Sequence, residues 1–405
     1  LLNIVKPNGS VPQTYTFVKK SNHLMMMLLN IKKINTFNFL MLLLGIASGA
    51  QSQEAGKKFV ISGSINVDTG SVELLTLSDS SYYPRSIYSS AKVKNGKFIL
   101  KGSIPYPTGV EIRYNKSFGS GLFLIESGEQ SVQLDINDFR KTPVVDNIVM
   151  KEYYGDFTGA FKANKTKSDK FYHQWDSLRK VYDGKVPENI EIALRKTQND
   201  LYQQSDSTLM HYIASHPDSY LGLWKLVQIA SFSGYEPIFD TAFESLSPTL
   251  KATYTGRELS NGLATGRALA IGRRFPDMNV FNLENQPLKV TNTHQFTLVD
   301  FWYSNCGPCI AQFPKLDSIY KEFHDKGFEI IGISTDKRKY ELQWKNAITK
   351  HNLAWPQYWD TDGINTSRYS INAFPTNFLL NANQEIVAKN ISPVELEAFL
   401  NGNLK

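Results

Sequence analysis

The stretch that most constrains this chain is Thr297-Leu298-Val299-Asp300-Phe301-Trp302, which leads within four residues into Cys306-Gly307-Pro308-Cys309. A nearly continuous apolar run of this kind reads as a strand buried on both faces. Around it, strands over 296–302, 328–334, 377–380 and 385–389 alternate with helices over 307–325, 337–351 and 393–400. That order predicts an α/β domain with a central sheet over residues 274–405.

The only two cysteines of the 405 residues lie three apart, directly after this strand and at the start of a helix. Helix N-terminal amides present unpaired donors and partial positive charge to Cys306, which favours thiolate over thiol. The turn brings Cys309 within disulfide reach. Cys306 can then attack a partner disulfide, and Cys309 can attack the mixed disulfide and release the reduced partner. Three other readings compete. A zinc site needs about four ligands, and the seven histidines are scattered. A static disulfide would close a loop too short to restrain much of the unfolded chain. The third is a pair of buried, inert thiols. No metal and no cofactor beyond the Cys306–Cys309 disulfide is expected.

The rest of the chain divides by pattern. Residues 57–145 read as an all-β, sandwich-like domain: short apolar runs at 59–61, 72–75, 98–100, 110–112 and 132–134 recur between turn signals. Asn95-Gly96 between two of them predicts a hairpin. Residues 150–265 read as helical, with Leu194, Leu201, Leu209 and Ile213 near helical spacing. Pro187 and Pro217 mark the limits of that helix, and an apolar helix follows over 220–229. Trp224 there is expected to be core. Gly256, Gly262, Gly266 and Gly272 suggest a looser connection into the last region.

The formal charge of +6 invites a guess of nucleic-acid or anionic-membrane binding. Its location argues otherwise. Residues 1–50 hold five lysines and no acid, leaving 39 basic against 38 acidic groups for the remainder. The same N-terminus carries the pattern of an export signal over 25–50: Lys32 and Lys33, an apolar run over 37–46, and Ala47-Ser48-Gly49-Ala50 with a cut expected after Ala50. Residues 1–24 are expected to be upstream sequence. A membrane-spanning helix needs about 20 apolar residues, more than this run offers, so an uncleaved N-terminal anchor is the lesser reading. Periplasm or cell envelope is the expected location, where thiols are not automatically kept reduced.

The segment from Val299 to Cys309 resembles a thioredoxin active site. Pro314 matches the helix-kinking proline of that family, and Ala373-Phe374-Pro375-Thr376 resembles its cis-proline loop. The lead-in from Phe275 to Val280 is similar to the TlpA/ResA branch of envelope thioredoxins. The resemblance spans about 130 residues and implies a thioredoxin fold for 274–405. In order, the β-rich and helical regions resemble those preceding such domains in some Gram-negative envelope proteins.

For the site, the resemblance implies Cys306, Cys309 and Asp300 as catalytic, with Gly307 and Pro308 completing the motif. Phe374, Pro375 and Trp302 would be substrate-binding, Pro375 in the cis form. From sequence alone Pro375 equally fits an ordinary trans loop proline. Asp300, flanked by Val299 and Phe301, fits a buried acid of raised pKa able to relay a proton to Cys309. A strand-end aspartate in solvent is the alternative. Two departures stand out. Gln312 replaces a frequent glutamate and cannot exchange protons near neutral pH, and Asn305 replaces a tryptophan usual before the first cysteine.

The resemblance implies an exported thiol–disulfide oxidoreductase. The Gly-Pro insert resembles reducing thioredoxins, with potentials of roughly −270 mV for the type protein, so reduction is the expected direction. Partners would be oxidised or disulfide-bearing envelope proteins, such as apocytochrome c, and a membrane thiol donor of electrons. No nucleic acid is expected. A thiol peroxidase is one alternative, but the residues before Cys306 lack the proline of that context. A non-enzymatic envelope binding protein is the other.

Overall fold

Strands in the front of the chain alternate as their sequences require. In the computed structural model, which describes residues 56–76, 87–184, 186–290 and 293–404, Phe98, Leu100 and Ile104 face the core while Lys97, Ile99 and Lys101 face solvent. The expected upstream segment at 1–24 and the signal at 25–50 lie outside the described residues. Among the described residues nine strands result: β1 (Lys57–Ile65), β2 (Thr69–Thr76), β3 (Ile87–Lys94), β4 (Lys97–Ile104), β5 (Thr108–Tyr114), β6 (Phe118–Gly119), β7 (Phe123–Ile125), β8 (Gly128–Leu134) and β9 (Val144–Asp146). Asn95 and Gly96 both take positive φ, 49° and 71°, as a two-residue turn joining β3 to β4 requires.

These strands do not stack as the two sheets of a sandwich. They form one sheet in the order β6-β5-β2-β3-β4-β1-β8-β9, with β7 added against β5. β1 makes the sheet continuous because it pairs antiparallel with β4 and parallel with β8. The two ends nearly meet: the Gly121 amide just past β6 donates to the Lys141 carbonyl just before β9, at 2.9 Å. The result is a nearly closed, barrel-like sheet. Alternation alone shows that one face is buried, and both architectures satisfy it; the long-range pairing of β1 decides.

Helices follow: α1 (Ile148–Glu152), α2 (Thr158–Ala160), α3 (Lys162–Val181), α4 (Glu188–Ser215), α5 (Tyr220–Ser233), α6 (Pro237–Ser245), α7 (Pro248–Lys251) and α8 (Tyr254–Gly266). One hydrophobic core runs from Phe59 through Trp224 to Leu263, so the β sheet and the helices fold on each other. Trp224 is buried in it, over Gly109, where any Cβ would strike the indole. Two of the four glycines expected to loosen the connection do the opposite. Gly256 and Gly266 lie in α8, and a Cβ would meet the Leu250 carbonyl at the first and Tyr235 at the second. They permit close packing.

The last region forms a second sheet: β10 (Phe281–Asn282), β11 (Phe296–Trp302), β12 (Phe328–Ser334), β13 (Gln357–Trp359), β14 (Thr376–Asn381) and β15 (Ile386–Lys389), in the order β10-β13-β12-β11-β14-β15. β11, β12 and β13 run parallel, and β14 returns antiparallel to β11. Around the sheet lie α9 (Gly307–Phe323), α10 (Glu341–Lys350), α11 (Ile364–Arg368) and α12 (Pro393–Asn403). β11 is central, and its side chains serve two cores. Leu298 and Trp302 pack with α9 on one face; Val299 and Phe301 pack with Phe275, Ile331 and Phe378 on the other. Among the described residues, no helix is long and apolar enough to cross a membrane.

Candidate active site

Cys306 is the N-cap of α9. Its backbone is still extended (φ −77°, ψ 94°) while its carbonyl already accepts from Ile310 at 3.0 Å. Its Sγ accepts the Cys309 amide at 3.2 Å. A cap position normally filled by an oxygen is thus filled by sulfur, and the same donor would serve a thiolate once the pair is reduced. Pro308 sits in the first turn, where its missing N–H costs nothing. Cys306 and Cys309 form a disulfide with Cα atoms 5.3 Å apart. Each cysteine is only 1% exposed, whereas Asn305, Gly307 and Pro308 are exposed and form the rim a partner meets first.

Asp300 lies on the same face of β11 as Leu298 and Trp302, the face that packs with both cysteines. It is 2% exposed, and its Oδ1 has no hydrogen-bond partner. Burial pushes its carboxyl up to about 7. An acid so placed exchanges its proton near neutral pH. Gln312, half-buried on α9, has no such capacity.

The 373–376 loop reaches the same place from the other side. The Phe374–Pro375 bond is cis, and both residues are half-buried. Thr376 pairs with Phe301 on β11. The Phe374 ring meets Tyr303 edge-on at 5.6 Å, which ties this loop to the segment entering Cys306.

Trp302 lies beneath the site. Read from sequence as substrate-binding, it is 1% exposed, stands edge-on to Phe313 at 5.3 Å and donates its Nε1–H to Gln357 Oε1 at 3.1 Å. The final β11 side chain points into the core beneath α9, so Trp302 supports the site from below.

Asp336 went unnoticed in the sequence. Buried just past β12, it accepts the Ser304 amide at 2.9 Å, the Ser304 hydroxyl at 2.8 Å and the Ser334 hydroxyl at 2.8 Å. It therefore holds the loop between β11 and Cys306. The available signal was Ser334-Thr335-Asp336 at the carboxyl end of a strand parallel to the cysteine-bearing one, the end where α/β sheets build their sites.

With this geometry in hand, similarity to known proteins becomes informative. The AhpC/TSA family model matches residues 271–389. The thiol-disulfide oxidoreductase ResA of Bacillus cereus is 27% identical over 136 residues, which cover 33% of this chain and 78% of that protein. Residues 271–389 belong to a ResA/TlpA-like thioredoxin domain. The sporulation thiol-disulfide oxidoreductase A of Bacillus subtilis is 28% identical over 116 residues, covering 28% of this chain and 70% of its own. A solved thioredoxin domain of a Bacteroides vulgatus thiol-disulfide oxidoreductase is 31% identical, covering 34% of this chain and 99% of that one, with a TM-score of 0.31. The chain is a thiol–disulfide oxidoreductase. In front, residues 59–180 match a domain of unknown function, DUF4369, which spans the β sheet and runs into α3.

Proposed function

We propose that this ResA/TlpA-like domain reduces disulfides of exported proteins in the cell envelope and is recharged by a membrane thiol donor. The supporting observation is the sulfur-capped helix over a buried acid. The Cys309 amide at Cys306 Sγ favours the thiolate that attacks, and Asp300, poised near 7, suits a proton relay to Cys309. In the reduced enzyme Cys306 would attack one sulfur of the partner disulfide, and the other would leave as a thiol. Cys309, losing its proton, would then displace the mixed disulfide, leaving Cys306–Cys309 oxidised and the partner with two thiols. Phe374 and Pro375 would receive the partner's backbone beside the pair. Misoxidised exported proteins and the haem-attachment cysteines of apocytochrome c are substrates of suitable chemistry.

Cys306→Ser is expected to abolish insulin-disulfide reduction, and Cys309→Ser to accumulate a mixed disulfide whose partners mass spectrometry would name. Full activity of the Cys306→Ser protein would sink the mechanism. Capture only of reduced-thiol donors, with no exported disulfide protein, would sink the substrate assignment.

A further inference from the structure

The far end of the thioredoxin domain brings together two histidines and a glutamate that are scattered in sequence. His294 precedes β11, His324 follows α9, and Glu329 is the second residue of β12. Their ligand atoms all lie within 4.8 Å of one another. Each residue has one polar atom held by a neighbouring group. His324 Nδ1 is 3.2 Å from the Phe328 carbonyl, which suits an Nδ1–H donor and leaves Nε2 with a free lone pair. His294 Nδ1 is 3.1 Å from Thr293 Oγ1. Glu329 Oε1 accepts the Ile330 amide at 2.8 Å, and the Tyr320 hydroxyl also hydrogen-bonds this carboxylate and would help to orient it.

The two imidazoles and the carboxylate do not hydrogen-bond one another. His294 Nε2 and Glu329 Oε2 stand 3.9 Å apart, too far for a hydrogen bond, and the two imidazole centroids are 5.6 Å apart. His294 and Glu329 are 25% and 13% exposed at the side chain, so the cluster is partly withdrawn from water yet open to an ion. Imidazole nitrogens whose other nitrogen is held by a carbonyl or hydroxyl, beside an oriented carboxylate, are the ligand set and outer shell of a zinc-type ion. Bonds of roughly 2.0–2.2 Å would draw the three groups together by rotation about their side-chain torsions, with water in the fourth position.

We propose that His294, His324 and Glu329 form a site for a divalent ion of the zinc type. It would clip the start of β11 to the end of α9 and the start of β12. β11 has seven residues, so its length of roughly 23 Å separates the clip from the cysteine pair. The ion would take no part in exchange. It would brace the two elements that carry the disulfide.

Isothermal titration of tag-free, full-length protein with zinc chloride tests this, with the Cys306–Cys309 disulfide kept oxidised so that no thiolate competes. The expected result is one ion per chain, bound at least about tenfold more weakly after His294→Ala or Glu329→Gln and lost in the His294→Ala/His324→Ala pair. Insulin reduction by the variants reports that they fold. Should the double variant not fold, the visible spectrum of the cobalt-loaded unaltered chain decides. Tetrahedral nitrogen–oxygen absorption without a thiolate charge-transfer band supports the site. No saturable binding at up to about 1 mM zinc, or binding unchanged by removal of both histidines, overturns it.

Discussion

Asp300 and Asp336 are both buried carboxylates near the cysteine pair, and their surroundings give them opposite duties. Asp300 has an unpartnered oxygen and a carboxyl raised to about 7 by burial. Its folded value lies above the unfolded one, so the folded protein binds the extra proton between about pH 4 and 7. Stability therefore falls as pH rises through that window, by a few kcal/mol for a rise of about three units. Asp300→Asn is expected to flatten that slope in urea denaturation at pH 4 to 8. It should also slow release of the mixed disulfide by about a hundredfold, the usual worth of a proton relay. An unchanged slope would place the acid in solvent. Asp336 instead accepts three hydrogen bonds. Asp336→Ala leaves the buried Ser304 amide without its acceptor and should cost about 3 kcal/mol. Asp336→Asn, which keeps the shape and removes the charge, should lower the pH at which Cys306 ionises, as read by the pH dependence of alkylation of the reduced protein. The burial of Asp300 was legible in sequence, because an acid inside an apolar strand is conspicuous. The Asp336 contact was not, because Asp336 meets Ser304 only once β12 lies beside β11.

At the scale of elements, the sequence was most informative where a segment is long and its periodicity unbroken. β11 and β12 fall at 296–302 and 328–334 as their apolar runs predict. β10 and β13 were missed, being two and three residues long and defined by their partners. Trp224 was legible as core, but its partner was not: Gly109 on β5 leaves the space the indole fills. Gly109→Ala should therefore push α5 off the sheet and destabilise the front region by about 1–3 kcal/mol. Insulin reduction by the thioredoxin domain should persist. Lys225, one residue along α5, sets its ammonium 4.7 Å from the Trp224 ring centroid, and burial lowers it to about 8. Its folded value is depressed, so the unfolded chain holds the extra proton between about pH 8 and 10.5, and stability rises with pH across that window. Lys225→Met, of similar length and uncharged, should remove that slope and stabilise the protein at pH 7 by about 1–2 kcal/mol in urea denaturation.

For the whole molecule, the consequential contact joins the segment entering α6 to β15. Lys389 donates to the Tyr235 carbonyl at 2.6 Å and to Glu236 Oε1 at 3.0 Å, with its side chain 8% exposed. Thr265 and Ser370 hydroxyls add a second point of contact at 3.4 Å. Read from sequence, Lys389 was only the last residue of a strand. No local pattern reveals that its ammonium crosses to the connection between α5 and α6, some 150 positions earlier. The seam runs along Ala373 and Thr376, which flank the cis-proline loop. The front region thus packs beside the segment that carries Phe374 and Pro375. Lys389→Met keeps the apolar stem and removes the donor, leaving the Tyr235 carbonyl and Glu236 to water. The expected cost is about 1–2 kcal/mol, less than for a fully buried pair because the Glu236 side chain is 46% exposed. The loss should concentrate at the seam. Amide exchange should quicken in α6 and β15 while the cores of the two sheets keep their protection. Uniform quickening through both would mean that the two parts unfold as one and that the seam has no separate role.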